Sequence, residues 1–388
     1  ILDVIETSKK DSFKNSAQLI ADSAEKKKVS DKLLGKDEEI TCKDVAKISD
    51  EDYASCKITF DSDGIAKVSI LGKGKFKGLK ITNGTKENAE VKEITKPTYG
   101  MKATEYISNL YEYDGVGLKK DNTSDQNIRY YGSDPNNYVR FNNELWRIIG
   151  VFGNNVKLVR SEKLGDLSWD SSESSVNGGY GVNEWSQSDL QNYLNKMYYG
   201  GTSVTCYNGQ SNKTTTCPTN TLDNNAKTLI DNHIWNTGAI EYNTRTDTLA
   251  FYSAERGSVN GKICSSGTCC NDTVIRTTTW IGYVGLPYVT DWAYASSESD
   301  CNTKIDRSTD KCKNNNWMHR SDSTWYLSPG ARTAFANVVW FVIGDGLVSN
   351  NYASFPLSTF PTIYLKSNIL IESGNGTSSN PYILKAGA

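Results

Sequence analysis

The sequence predicts an α+β protein made of two parts: a long helix with a small antiparallel sheet, then a larger, loop-rich α+β region. The first 26 residues carry apolar side chains at helical spacing, and residues 58–70 alternate apolar and polar side chains around a turn signal. Beyond residue 100, two helical patterns lie between an early group of strand patterns and a late one. This order of patterns is typical of an α+β fold.

A change of composition near residue 100 marks the boundary between the two parts. Residues 1–100 contain no arginine and no tryptophan, whereas all nine tryptophans lie beyond them. The segment "TKPTYGMK" at the boundary contains Pro97 and Gly100, residue types that interrupt regular structure. We therefore predict one domain over residues 1–98 and a second domain over residues 99–388.

The first part opens with an amphipathic helix of about two dozen residues. No Gly or Pro interrupts the chain before Gly35, and apolar residues recur close to every third or fourth position. The apolar residues on which this helix depends are Leu2, Ile5, Phe13, Ala17 and Ile20. Apolar alternation on both sides of "DSDG" then predicts a β-hairpin that turns at Gly64, and "KFKGLKI" and "AEVKEI" supply one or two more strands.

The nine cysteines indicate disulfide bonds and an oxidising, exported environment. Zinc is the weaker alternative, because the cysteine separations are irregular and the two histidines, His233 and His319, are isolated. One cysteine must stay odd, and the sequence cannot prove the pairing. The simplest pairing joins Cys42 to Cys56, Cys206 to Cys217, Cys301 to Cys312, and Cys264 to either Cys269 or Cys270.

The second part is predicted to begin with a short helix in "MKATEYISNLYEY" and a three-stranded meander over 139–158. Two helices follow: one is capped by Ser186 or Ser188, and the next, "NNAKTLIDNHIWNTG", ends at Gly238. The late "GDG" predicts a hairpin turn, and strands near the two ends of this part could pair with each other.

The order of elements in the first part resembles the type IV pilins and pseudopilins of Gram-positive bacteria. "ILDVIETSKKDSFKNSAQLIADSAE" is similar to the stretch that follows the apolar segment in such proteins, and a small antiparallel sheet with a cysteine loop comes next. The resemblance implies a hydrophobic half-helix upstream of Ile1, which would be the only membrane-contacting segment. It also implies that the helix carrying Leu2, Ile5, Phe13, Ala17 and Ile20 packs against other pilin subunits.

The second part resembles an extracellular domain of gut-type Firmicutes that groups loosely with C-type-lectin-like and formylglycine-generating-enzyme-like folds. The motifs that carry the resemblance are "LWRIIGV", "SDLQNYLN", "WYLSPG", "GDG" and "PTIYL". Domains of this kind often follow a pilin-like N-terminus, which fits both parts of the chain. The resemblance therefore implies a C-type-lectin-like head on a pilin-like stem.

The sequence shows few signs of catalytic chemistry. It contains no nucleophile elbow, zinc-protease motif or phosphate-binding loop, and its net charge of −2 gives no basic field for nucleic acid. A carboxylate pair for glycoside cleavage stays open, because Asp166, Asp170, Glu173 and Glu184 crowd one loop region. We expect no enzyme, no cofactor and no metal centre, although a calcium site in the head stays an open question.

These observations lead to a functional hypothesis, a minor type IV pilin or pseudopilin with an adhesive head at the cell surface. The head would recognise a host or bacterial surface glycan or protein; a secreted binding module without filament assembly is the alternative. Constrained loops are suited to binding, and the candidates are residues 200–220 and 261–272. The candidate ligand residues are Tyr207, Asn208 and Asn212. A stacking platform could come from Trp169, Trp185, Tyr198, Tyr199, Tyr207 and Trp235, but large aromatic side chains are usually buried, so we expect most of these rings in the core.

Overall fold

The computed structural model describes residues 2–113, 115–241, 248–257, 278–302, 305, 310–331 and 336–387. It divides the chain into two compact units. The N-terminal unit consists of residues 1–98 and 105–116, and the C-terminal unit consists of residues 99–104 and 117–388. The protein is a mixed α+β structure with an N-terminal helix and mainly antiparallel sheets.

Residues 2–98 of the N-terminal unit form two helices and a four-stranded antiparallel sheet of order β1-β2-β3-β4. Its helices are α1 (Leu2–Leu33) and α2 (Cys42–Val45), and its strands are β1 (Tyr53–Phe60), β2 (Ala66–Gly72), β3 (Leu79–Gly84) and β4 (Lys92–Glu93). A 3-10 turn, Gly74–Phe76, lies between β2 and β3. The predicted hairpin and the additional strands are confirmed, since Phe60 pairs with Ala66 across a turn in which Gly64 has a φ of 81°.

Helix α1 is longer than the two dozen residues predicted. It continues to Leu33 because the stop signal comes only at Gly35, whose φ of 68° is the left-handed conformation that glycine adopts without strain. The N–H groups of Gly35 and Lys36 donate to the carbonyls of Lys32 and Asp31, which closes the helix with a Schellman motif.

One face of α1 forms the core of the N-terminal unit together with the inner face of the sheet. The buried helix residues begin at Phe13, whose ring lies 5.1 Å from that of Phe76. The members of this core are Phe13, Ala17, Ile20, Ala21, Ala24, Ile40, Cys42, Ala66, Val68, Ile70, Phe76, Leu79, Ile81 and Ala89. The disulfide Cys42–Cys56, with a Cα–Cα distance of 6.1 Å, joins α2 to β1.

Helix α3 (Ala103–Tyr113) lies at the division between the units, and residues 105–116 belong to the N-terminal one. Lys80 of β3 forms a 2.5 Å ion pair with Glu112, and the ammonium of Lys77 lies over the ring of Tyr113. These contacts place most of the helix with the first unit, although it follows the predicted boundary in the sequence.

The C-terminal unit contains the remaining helices and strands. Its α-helices are α4 (Asp189–Asn192), α5 (Asn224–Leu229), α6 (Thr248–Glu255) and α7 (Val289–Ala295); a π-helix, Tyr193–Tyr199, continues α4. Its 3-10 helices are Asn177–Gly179, Trp185–Gln187, Ser299–Asn302 and Asp310–Lys313. Ser188 caps α4, because its side chain accepts a hydrogen bond from the N–H of Gln191.

The described strands of this unit form two large sheets and two small ones. They are β5 (Leu118–Lys120), β6 (Ile128–Tyr130), β7 (Tyr138–Phe141), β8 (Glu144–Phe152), β9 (Asn155–Arg160), β10 (Asp166–Ser168), β11 (Cys206–Tyr207), β12 (Thr214–Thr215), β13 (His233–Asn236), β14 (Ile240–Glu241), β15 (Thr279–Gly282), β16 (Val284–Gly285), β17 (Thr324–Ala331), β18 (Val338–Val342), β19 (Val348–Tyr352), β20 (Pro356–Ser358), β21 (Thr362–Tyr364), β22 (Ile369–Ser373) and β23 (Tyr382–Ala386).

The predicted meander β7-β8-β9 is the centre of a nine-stranded sheet, whose main path is β16-β21-β9-β8-β7-β23-β22. Early strands therefore pair with late ones, as predicted, since β9 pairs with β21 and β7 with β23. The other large sheet has the main path β10-β20-β17-β18-β19, and the "GDG" turn joins β18 to β19. Seven tryptophans are fully buried in this unit: Trp146, Trp169, Trp185, Trp235, Trp292, Trp325 and Trp340.

The predicted helix ending at Gly238 is wrong beyond Leu229. Residues 233–236 form strand β13, which pairs with β15 so that Trp235 lies opposite Trp280. The buried indole of Trp235 donates to the carbonyl of Gly282, which β15 provides from 47 residues further along the chain. Strand pairing with a distant segment thus overrides the local helical pattern.

Four charged side chains are buried together in the C-terminal unit. Arg129 of β6 contacts Asp121 at 2.6 Å and Asp291 of α7 at 2.7 Å, and Lys157 of β9 contacts the other oxygen of Asp291 at 2.5 Å. Burial alone would raise the pKa of Asp291, but Lys157 and Arg129 hold it below its usual range. This network connects α7 to the nine-stranded sheet.

Among the residues described, no helix combines the length and apolar character needed to cross a lipid bilayer.

Candidate functional site

The first candidate loop, residues 200–220, forms a small hairpin in the C-terminal unit. Strands β11 and β12 pair, and the predicted disulfide Cys206–Cys217 closes the hairpin with a Cα–Cα distance of 5.2 Å. Tyr207 and Asn208 are half-buried near the first strand, and the N–H of Asn208 donates to the carbonyl of Lys213 at 3.0 Å. The loop is therefore held in one conformation by covalent and hydrogen-bond constraints.

The tip of this hairpin lies on a second loop, residues 170–181. The hydroxyl of Ser171 donates to the carbonyl of Gly209 at 2.8 Å and accepts from the N–H of Asn212 at 2.9 Å. The N–H of Ser211 donates to the carbonyl of Gly179 at 3.0 Å, and the amide of Gln210 donates to that of Gly178. The two loops thus form one connected surface.

Two buried carboxyls position the second loop. Asp170 accepts hydrogen bonds from the N–H groups of Val182 at 2.6 Å and Asp189 at 3.1 Å, and Asp189 accepts one from the N–H of Ser171 at 2.8 Å. Burial and the neighbouring Asp189 raise the pKa of the Asp170 carboxyl to about 8, and burial also raises the pKa of Asp189. The two carboxyls therefore fix the conformation of the loop through hydrogen bonds to its backbone N–H groups.

The four carboxylates noted in the sequence have separate roles. Asp170 holds the loop, whereas Asp166 is exposed and forms an ion pair with Lys163 at 3.1 Å. Glu173 is exposed, and buried Glu184 accepts a hydrogen bond from the N–H of Ser186. A glycosidase needs two carboxyls facing one bond, whereas the carboxyls of Asp166, Asp170 and Glu184 contact different partners.

A row of three aromatic rings borders the second loop; we call Tyr180, Tyr352 and Phe355 the aromatic row. The rings of Tyr180 and Tyr352 stack at 4.1 Å with a 24° interplanar angle, and those of Tyr352 and Phe355 lie 6.5 Å apart at 28°. Tyr180 and Tyr352 are half-buried, and Phe355 is 45% exposed. The row combines Tyr180 of the second loop with Tyr352, the last residue of β19, and Phe355 of the turn between β19 and β20.

Most of the rings considered for a stacking platform lie in the core, as the sequence favours. Trp169, Trp185, Tyr198 and Trp235 are buried, and Tyr199 is half-buried against Tyr283 at 4.1 Å. Sequence reasoning missed the aromatic row. The available signal was that its rings stand alone among small and polar residues, in "NGGYG" and "NNYASF".

The residues predicted for filament packing lie in two environments. Phe13, Ala17 and Ile20 are buried in the core of the N-terminal unit, so contacts within the unit occupy them. Ile5 is 60% exposed, and the side chain of Leu2 lies outside the described residues. Filament contacts of this helix therefore remain a prediction for its exposed residues.

The N-terminal unit also has a half-open cleft of about 510 Å³ where α1 ends. Its apolar lining is Ile40, Ile58 and Phe60, and the ammonium of Lys28 lies 3.9 Å from the centroid of the Phe60 ring. Lysine and acidic side chains of residues 28–39 surround this lining. The cleft can accept an apolar group between charged ones.

The two histidines are separate from these surfaces. His233 lies on strand β13, with Nδ1 2.9 Å from Asp231 and its ring stacked on Tyr364 at 3.7 Å. Burial lowers the pKa of both His233 and His319. Within the described ranges, no group of three or more His, Cys, Asp or Glu side chains could hold a metal ion.

The structure contains three of the predicted disulfides, the third being Cys301–Cys312. They indicate an oxidising, extracellular or secreted environment. Cys264, Cys269 and Cys270, together with the second candidate loop over 261–272, lie outside the described residues.

No protein family matches this chain, and neither does any curated protein or solved structure. The function is therefore inferred from the contacts and surfaces of the two units.

Proposed function

We propose that this protein is a minor type IV pilin or pseudopilin at the cell surface. Helix α1 packs against other pilin subunits, and the C-terminal unit is a C-type-lectin-like head that binds a surface glycan or protein. The observation that carries the proposal is the exposed apolar start of α1, where Val4 is 71% and Ile5 60% exposed. The resemblance of the N-terminal sequence to pilins supports the same assignment.

The position of these residues on the helix favours packing against another chain. The buried residues of α1 begin at Phe13, so residues 2–12, about three turns of helix, precede the first core residue. A helix of 32 residues spans about 48 Å. Val4 and Ile5 lie at one end of this length, and exposed apolar residues outside a core are available for association.

The opposite end of α1 carries a different surface, the cleft lined by Ile40, Ile58 and Phe60. Two unlike surfaces on one subunit are what a head-to-tail contact needs, and such contacts generate helical filaments when the rotation does not close. The larger C-terminal unit would crowd a filament made only of this subunit. That size difference supports a minor subunit rather than the major one.

The test is incorporation of the full-length protein into filaments of the native bacterium. Val4→Asp with Ile5→Asp should reduce the protein in the sheared filament fraction to background, because two charges replace the exposed apolar contact. The matched control is Ile234→Asp, an exposed apolar residue of the C-terminal unit, which should leave incorporation unchanged. Absence of the parent protein from filaments, or normal incorporation of the double variant, would contradict the proposal.

The aromatic row favours a second candidate function, a secreted binding module that does not assemble. In that case the parent protein would bind its ligand and appear only in the culture medium. The filament experiment separates the two functions, because only the first requires Val4 and Ile5.

A further inference from the structure

The aromatic row leaves part of its ring surface exposed to solvent, most of all at Phe355. We propose that this row is a carbohydrate-binding site that takes an uncharged pyranose ring of a surface oligosaccharide. This inference rests on the binding role proposed for the C-terminal unit, and it names the site and the ligand class.

The three rings lie in nearly parallel planes, with interplanar angles of 24° and 28° between neighbours. An exposed phenylalanine at the end of such a row offers an apolar surface to a ligand. Aromatic faces carry partial negative charge, and the C–H groups of a pyranose ring carry partial positive charge. A sugar ring can therefore stack on this surface.

The backbone around the row is held firmly in place. The N–H of Ser354 donates to the carbonyl of Tyr180 at 3.2 Å, and the hydroxyl of Ser168 donates to the carbonyl of Ser354 at 2.7 Å. The N–H of Ala353 donates to the carbonyl of Asn337 at 2.8 Å. The rings are thus positioned before a ligand arrives, which reduces the entropy lost on binding.

The polar side chains on the segments that carry the row are mainly amides and hydroxyls. Asn177 precedes Tyr180, Asn350 and Asn351 precede Tyr352, and all three are half-buried. Asn177 Nδ2 donates to the carbonyl of Gly181, and Asn351 Oδ1 accepts from the N–H of Tyr352. These two bonds engage only one amide atom of each residue. Amides and hydroxyls both donate and accept hydrogen bonds, which suits the hydroxyl groups of a sugar. Glu173 is exposed on the same loop, so an acidic sugar would be repelled.

An extended peptide is the competing ligand. Among the described strands, β19 is at the end of its sheet, so a peptide could add beside it. Strand addition would use the backbone of residues 348–352 and would not require the ring of Phe355, which follows the strand. Dependence on Phe355 therefore distinguishes a stacked sugar from an added strand.

The test uses the full chain, fluorescently labelled, on an array of neutral and acidic host and bacterial oligosaccharides, with EDTA present. We expect binding to oligosaccharides that end in an uncharged hexose or N-acetylhexosamine, and isothermal titration with the strongest of these then gives the affinity. Phe355→Ala should weaken this affinity about tenfold, the effect of losing one stacked ring. Phe355→Tyr should retain it.

The matched control is Tyr283→Ala, which removes one ring of another stacked tyrosine pair, in which Tyr283 lies 4.1 Å from Tyr199. This variant should bind like the parent, and thermal unfolding checks that each variant is folded. The proposal would be overturned if no oligosaccharide on the array bound the parent protein, or if Phe355→Ala bound with unchanged affinity. It would also be overturned if Tyr283→Ala lost as much affinity as Phe355→Ala. Binding of an extended-peptide library that Phe355→Ala leaves unchanged would overturn it as well.

Filament incorporation of Phe355→Ala is measured separately. It should equal that of the parent, because the row is not part of α1. A lost glycan affinity with normal incorporation supports the site, and failed glycan binding with normal incorporation leaves the filament role standing.

Discussion

The two units differ in how deeply they bury charge. In the N-terminal unit, ion pairs such as Lys26–Asp22 at 2.6 Å and Lys43–Asp50 at 3.2 Å lie at the surface, and the hydrophobic core is apolar. Asp31 is buried, but its partner Lys27 is 33% exposed. In the C-terminal unit, Arg129, Lys157 and Asp291 are each at most 1% exposed and lie within the core.

This difference indicates how much the stability of each unit depends on its ion pairs. An exposed pair gains little, because water and salt screen it and ordering its side chains costs entropy. When a buried ion pair loses one partner, the remaining charge stays buried with no water and no opposite charge to stabilise it. This costs about 3–5 kcal/mol of folding stability. We therefore expect the C-terminal unit to depend on its ion pairs and the N-terminal unit on apolar packing and its disulfide.

The largest effect should come from Asp291→Asn. The substitution keeps an oxygen for the N–H of Tyr288 but leaves Lys157 and Arg129 without their shared carboxylate. The free energy of unfolding of the C-terminal unit should fall by about 3–5 kcal/mol. Urea titration followed by tryptophan emission reports on this unit alone, because it contains all nine tryptophans.

The control for that substitution is Glu93→Ala, which removes the partner of Lys10 in the N-terminal unit. Its urea midpoint, followed by far-ultraviolet circular dichroism, should not move measurably. An equal loss of stability in both variants would remove the contrast between the units.

The next effect concerns pH and Glu255. This carboxyl accepts hydrogen bonds from Thr290 at 2.7 Å and Ser328 at 3.1 Å, and burial raises its pKa to about 7. Because the folded state holds the proton more tightly, the stabilisation is complete below about pH 4.5 and is lost as the pH rises through 7. The loss approaches about 3 kcal/mol by pH 8.

Glu255→Gln removes this titration and can keep both hydrogen bonds. Relative to the parent, the variant should gain stability in the C-terminal unit as the pH rises from 5 to 8, measured by urea titration at each pH. Parallel pH profiles for parent and variant would show that Glu255 does not titrate in this way.

The smallest of these effects should come from the disulfide of the N-terminal unit. Cys42→Ser with Cys56→Ser opens a loop of 14 residues, which should cost about 2–3 kcal/mol by the chain-entropy model. In a urea titration, the midpoint of the unfolding transition followed by circular dichroism of the helices should fall. The midpoint followed by tryptophan emission of the C-terminal unit should stay unchanged. The reverse pattern is expected for Cys206→Ser with Cys217→Ser, and a loss in both signals from either pair would mean that the units unfold together.

Sequence reasoning performed best where the signal is local. The hairpin around Gly64, the Ser188 cap of α4 and the disulfides Cys42–Cys56, Cys206–Cys217 and Cys301–Cys312 all involve residues close together in the chain. Turn chemistry, helix capping and short loop closure act over a few residues. The sequence by itself therefore determined these features.

Tertiary structure alone decided the features that join distant segments. Residues 233–236 became a strand because β15 supplies the partner of Trp235, and the aromatic row formed because Tyr180 meets Tyr352, 172 positions later. The charge network likewise brings Asp291 to Lys157. Periodicity shows which face of a segment is apolar, but the partner that covers this face is chosen only when the whole chain packs, since burial depends on every neighbour at once.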